Sequence, residues 1–135
     1  MRFSYTPFFI RSPESWDDLS RTLLDATEGR AARLRYVASR DAVTDSASMI
    51  DVVKRPLTGE ADYEIEVHWK NHCRLGDDAI AYRISRAMRL PVIVPDRDHE
   101  PNDWLRVTHD GDIYTLIDLD IELYARDLCI AYKKA

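Results

Sequence analysis

Y-E-I-E-V-H-W-K, residues 63 to 70, alternates without a break. In an extended chain Tyr63, Ile65, Val67 and Trp69 share one side, and Glu64, Glu66, His68 and Lys70 share the other. A period of two with one apolar and one polar face is the pattern of a half-buried strand. Such a strand takes antiparallel neighbours, because parallel crossovers cover both faces of a sheet. The stretch therefore predicts an α+β domain built on a mostly antiparallel sheet, with the Glu64 side open to water.

Working outward, Met49 to Arg55 is a second apolar run, joined to the first through Pro56-Leu57-Thr58-Gly59, which reads as a turn. Ala32 to Ala38 alternates Leu34 and Tyr36 with Arg33 and Arg35, as a strand does. The polar residues 39 to 48 between them predict a loop. Arg2 to Ile10 is rich in Phe and Tyr and reads as the first strand, with Pro7 marking an edge or a bend. Ser12-Pro13-Glu14 carries the order of a helix start, with serine as cap, proline at the first helical position and an acid at the positive end of the dipole. A helix is expected over 13–28, ended by Gly29.

Downstream, Gly76-Asp77-Asp78 opens a second helix with Asp77 as cap and Ile80, Ile84, Ala87 and Met88 as its buried stripe. Pro91 to Val94 is an interior strand, and Trp104 to Thr108 and Ile113 to Leu119 form a hairpin about Asp110-Gly111. At the C-terminus, Ile121, Tyr124, Ala125, Leu128, Cys129 and Tyr132 fit helical spacing after a cap at Asp120. Leu128, Ile130 and Tyr132 also alternate as a strand would. More positions match the helix, and a third helix is expected. The chain of 135 residues is the size of one domain, residues 1–135, with two or three helices against the sheet.

Composition narrows the function classes. The chain is 45% hydrophobic, enough for one core and too apolar for disorder. No apolar run reaches the ~20 residues of a membrane helix, and the first residues lack a signal-peptide layout, so a cytoplasmic protein is expected. Cys73 and Cys129 have no CxxC spacing and read as free thiols. Residues 95 to 122 carry nine acids against two bases, so this segment is −7 while the whole chain is −5. A local field of that sign repels nucleic acid and attracts a basic protein. Arg30, Arg33, Arg35 and Arg40 gather near Tyr36 and make the best nucleic-acid patch available, a weak one beside the acidic remainder.

Three clusters could carry chemistry. His68, His72 and Cys73 are metal-capable, but residues four apart on a strand lie ~13 Å apart and cannot share one ion. Asp118, Asp120 and Glu122 form D-x-D-x-E, which on a continuous strand would line up three carboxylates as in magnesium-dependent hydrolases and nucleases. A helix beginning at Asp120 would break that row. Asp96, Asp98, Glu100 and Asp103 belong to a loop stiffened by Pro95 and Pro101, with Trp104 beside it as a possible interface anchor or a core residue. A stiff loop loses less entropy on binding, which favours recognition over catalysis. The P-loop, G-x-G-x-x-G and G-x-S-x-G signatures are absent, and no cofactor or metal is expected.

The run G-D-D-A-I-A-Y-R-I-S-R-A-M-R-L-P-V-I-V-P-D-R-D-H-E-P-N-D-W-L-R-V, residues 76 to 107, resembles small bacterial immunity proteins of polymorphic and contact-dependent toxin systems, over about a quarter of the chain. The shared pattern is a short helix, an apolar strand, an acidic loop and an aromatic-led strand. The resemblance implies a non-enzymatic protein that neutralises a basic toxin, in many cases a nuclease, by covering its active site. The partner-contact residues expected on this reading are Asp96, Asp98, Glu100, Asp103, Trp104, Asp118, Asp120 and Glu122. A small metal-dependent hydrolase using the same acids, and a module dimerising through an exposed sheet edge, are the alternatives.

Overall fold

The computed structural model describes residues 5–96 and 103–133. Seven strands form one sheet in the order β2-β3-β5-β1-β6-β7-β8. They are β1 (Tyr5–Ile10), β2 (Arg33–Val37), β3 (Met49–Pro56), β5 (Tyr63–His68), β6 (Val92–Pro95), β7 (Trp104–Val107) and β8 (Tyr114–Ile117). Every neighbouring pair is antiparallel except β2 with β3. Two-residue strands β4 (Thr58–Gly59) and β9 (Cys129–Ile130) pair in parallel beside it. Helices α1 (Trp16–Asp25), α2 (Asp77–Met88) and α3 (Ile121–Asp127) complete an α+β domain. No helix among the described residues is long and apolar enough to cross a membrane.

The alternation of β5 orients the whole sheet. Ile65 and Val67 join Phe8, Ile10, Ile50, Val52, Val92, Val94 and Val107 in a core closed by Leu19 and Leu23 of α1 and Ile80, Ala81 and Ile84 of α2. Each such side chain, fully withdrawn from water, contributes roughly 1.5–3 kcal/mol. Phe9 points the other way. It meets Leu57, Ala61, Ile93, Leu119 and Ile130 in a second core, with Trp104, Ile117, Tyr124 and Leu128 packed against it. Pro7 is compatible with a central strand because β6 pairs with β1 only at Phe9 and Ile10, leaving Pro7 a neighbour on one side.

In the α2 stripe, Ala87 is exposed and Ala81 and Ser85 are buried with Ile80 and Ile84. Four larger expectations need correction. The cap of α1 is Ser15, whose hydroxyl accepts from the Asp18 amide at 3.1 Å, and the helix stops at Asp25, short of Gly29. The Ser12 amide instead donates to Asp62 at 2.8 Å, which holds the chain extended ahead of the helix. Asp77 is the first residue of α2 and takes a hydrogen bond from Thr6 at 2.8 Å, leaving Gly76 at the cap. The tail is helix and strand in turn. Asp120 caps α3 through the Leu123 amide at 3.0 Å, and Leu128, at φ +51°, ends the helix. The chain then lays Ile130 into the second core. That docking requires Gly59, since a β-carbon there would sit 2.2 Å from the Ile130 carbonyl oxygen.

The fourth correction concerns the face read as wet. Glu64 and Glu66 are buried, together with Asp51. A parallel β2–β3 pair needs a crossover, and the helices fill one face. Residues 38–48 therefore cross the other, over the polar side chains of β3 and β5.

Candidate docking surface

The buried acids of β3 and β5 are each matched by a cation. Asp51 accepts from Arg35 Nε at 2.5 Å, from Lys70 Nζ at 2.8 Å and from the Thr44 amide at 2.9 Å. Burial pushes its carboxyl up, but these donors outweigh burial and hold it at about 2. Glu66 accepts from Arg40 Nε and Nη2, each at 2.7 Å, and pairs with His68 Nε2 at 2.7 Å, and these likewise overcome burial to keep its carboxyl below the usual range. Glu64 takes Arg55 at 2.6 Å and the Tyr124 hydroxyl. Burial first, then the bond to Glu64, raises that phenol well above its ordinary value. Arg40 and Arg35 both reach this network, Arg35 also donating to the Ala42 carbonyl at 2.5 Å. Two of the four arginines of the weak nucleic-acid patch are thus engaged in structural pairs. The Asp51 and Glu66 pairs staple residues 38–48 to the sheet, and the Glu64 pair holds α3 against it.

The acids of the second half behave differently. Pro95 of β6 pairs with Trp104 of β7, and Trp104 with Ile117 of β8. Asp96, Asp103 and Asp118 follow or precede those residues, so three neighbouring strands bring them to one end of the sheet. The Asp96 amide bonds to the Asp103 carbonyl at 2.9 Å. Beyond Asp118 the chain bridges Leu119 to Tyr132 and turns into α3, which adds Asp120 at the cap and Glu122 in the first turn. Asp118, Asp120 and Glu122 line an open cleft of roughly 460 Å³ with Leu119, Ile121 and Lys133. Among the described residues, no Lys or Arg side chain forms an ion pair with Asp103, Asp118, Asp120 or Glu122.

Several expected contact residues stand elsewhere. Asp96 is buried. Trp104 stacks on Phe9 with ring centroids 5.0 Å apart and belongs to the second core, so its anchor role gives way to packing. Asp98 and Glu100 lie outside the described residues. Asp110 and Asp112 occupy the far end of the β7–β8 hairpin, and the acids therefore form two groups.

The D-x-D-x-E row breaks at Asp120, where α3 begins. His68 is committed to Glu66 and stacks on Tyr5 at 5.2 Å. Among the described residues, no group of three His, Cys, Asp or Glu is placed to hold a metal ion.

The sequence reading missed the buried network and the exposed apolar residues Tyr114 and Leu116 on β8. The clustering of Arg33, Arg35 and Arg40 before an acid-bearing strand was the available signal for the first. No protein-family model, curated protein or solved structure compared with the chain matches it.

Proposed function

We propose that the chain is a non-enzymatic binding protein of the immunity type, which neutralises a basic toxin domain by presenting the acidic end of β6, β7, β8 and α3. The observation that carries this reading is the contrast between two sets of acids. Asp51, Glu64 and Glu66 are buried and matched by cations of this chain. Asp103, Asp118, Asp120 and Glu122 are at least partly exposed, converge on one end, and have no such ion pair among the described residues. Acids gathered in one place repel each other and raise the energy of the unbound protein. A cationic partner relieves that repulsion, and its long-range attraction accelerates docking.

The supporting experiment is inhibition. The chain is mixed with a basic toxin domain, taken from an adjoining gene where one encodes it, and the toxin's activity is followed with increasing inhibitor. The parent chain is expected to abolish activity at stoichiometric amounts, and Asp118→Asn with Glu122→Gln to require a large excess. Asp120 is left intact because it caps α3. Undiminished toxin activity in the presence of the folded parent would refute the proposal.

A further inference from the structure

Strand β8 is the outer strand of the seven-stranded sheet, and among the described residues no strand pairs with the outer edge of Tyr114–Ile117; just beyond it, the Asp118 carbonyl and Asp120 amide are taken by Lys133 and Ala131. Its registry with β7 places Tyr114 opposite Val107 and Leu116 opposite Leu105, so both side chains extend the face on which the helices lie. Helix α2 packs over β6 and β7. Tyr114 and Leu116 emerge beyond it, 49% and 61% exposed. Tyr114 adjoins the helix, where burial and the nearby Asp78 and Tyr82 raise its phenol. Natural edge strands are usually protected by a lysine, a proline or a bulge. Tyr114-Thr115-Leu116-Ile117 contains neither lysine nor proline and pairs with β7 at every position without a bulge.

Charge brackets this edge at both ends. Asp110 and Asp112 precede β8, and Asp118, Asp120 and Glu122 follow it. Antiparallel pairing of two copies through β8 would bring Asp110 and Asp112 of one beside Asp118 of the other. Like charges then oppose each other at both ends of the contact. An extended segment with Lys or Arg flanking an apolar centre meets attraction at both ends and gains the backbone groups of Tyr114 and Leu116 that face away from β7.

We propose that β8 is a strand-addition site, and that its occupant is a basic, extended segment of the partner protein. This rests on the acidic-surface reading and specifies how the partner engages it. Backbone hydrogen bonds supply the register, Tyr114 and Leu116 cover the alternate apolar residues of the incoming strand, and the two acidic groups take its cations.

The test uses the end-blocked peptide K-V-T-V-K-V-K, its counterpart N-methylated along one backbone edge, and the acidic peptide E-V-T-V-E-V-E. Backbone amide shifts and exchange rates of the whole chain are followed by NMR. The basic peptide is expected to shift and protect amides of Tyr114 to Ile117. N-methylation, or Leu116→Lys in the protein, is expected to weaken binding on the order of tenfold. Leu116→Lys is suited to this because the side chain is mostly exposed, and unchanged thermal unfolding verifies its fold. Equal binding of the N-methylated peptide, with shifts confined to Asp118, Asp120 and Glu122, would overturn strand addition and leave the acidic surface standing. Equal protection of β8 by the acidic peptide would overturn the charge reading. Absence of binding by the basic peptide, or concentration-dependent dimers with β8 protected, would overturn the proposal.

Discussion

Asp51→Asn removes a fully buried charge with almost no change of shape. The replacement keeps one acceptor oxygen but leaves the Arg35 and Lys70 cations without their carboxylate. Removing one member of a buried ion pair costs about 3–5 kcal/mol. Arg35 is 40% exposed and can recover some hydration, while Lys70 is 16% exposed and recovers little. The loss should therefore fall at or somewhat below the lower limit, about 2–3 kcal/mol.

The lowered carboxyl gives a second figure for the same contacts. The Asp51 carboxyl stands at about 2 against an ordinary 3.8. A depression of that size corresponds to about 2 kcal/mol. Because the folded value is the lower one, this stabilisation is complete above about pH 4 and disappears as pH falls toward 2. Glu66, also depressed, adds to the same acid limb.

Urea unfolding at neutral pH should show a lower midpoint with unchanged slope for Asp51→Asn. Asp127→Asn, which breaks the exposed Arg126 pair, should stay within about 0.5 kcal/mol of the parent. Repeating the series from neutral pH down to acid should narrow the gap between parent and Asp51→Asn. If Asp51→Asn destabilises no more than Asp127→Asn, residues 38–48 are not held by this network, and the covered polar face is wrong.

Three further substitutions examine particular elements. Ser15→Ala should cost about 1 kcal/mol in chemical unfolding, whereas Ser12→Ala should cost little, since only the Ser12 amide is bonded; the reverse order would restore the earlier helix start. Gly59→Ala combines a φ of +84° with collision against the Ile130 carbonyl and should cost more than about 2 kcal/mol, with faster amide exchange at Cys129 and Ile130; a neutral result would mean that β4 and β9 do not pair in solution. Trp104→Ala should lower stability by about 2–3 kcal/mol because its ring packs on Phe9; stability within about 0.5 kcal/mol of the parent would return Trp104 to the surface.

The sheet was legible because β5 alternates over its whole length and because Asp110-Gly111 fixes the following hairpin. Helix starts were less so. Ser12-Pro13-Glu14 and Ser15 offer competing caps, and the choice falls to Asp62, a tertiary partner invisible in local sequence. The tail satisfied two periods because it uses both, and Leu128 in a left-handed conformation divides them. The Glu64 face was misread for a topological reason. Alternation reports that a face is polar, not what crosses it: the parallel β2–β3 pair sends residues 38–48 over Asp51 and Glu66, and α3 brings Tyr124 over Glu64. Of the candidate site, Asp103, Asp118, Asp120 and Glu122 converge because consecutive hairpins return the chain to the same end. The exposure of Tyr114 and Leu116 depends on where α2 stops covering the sheet, which strand periodicity does not encode.

The most direct test of the acidic docking surface is the association rate with the basic toxin domain that the chain inhibits, measured by stopped flow from about 30 to 300 mM salt. The parent rate is expected to fall steeply with salt, and Asp103→Asn with Asp118→Asn and Glu122→Gln to start lower and respond weakly. A parent rate that ignores salt, or a triple variant that matches it throughout, would contradict the account.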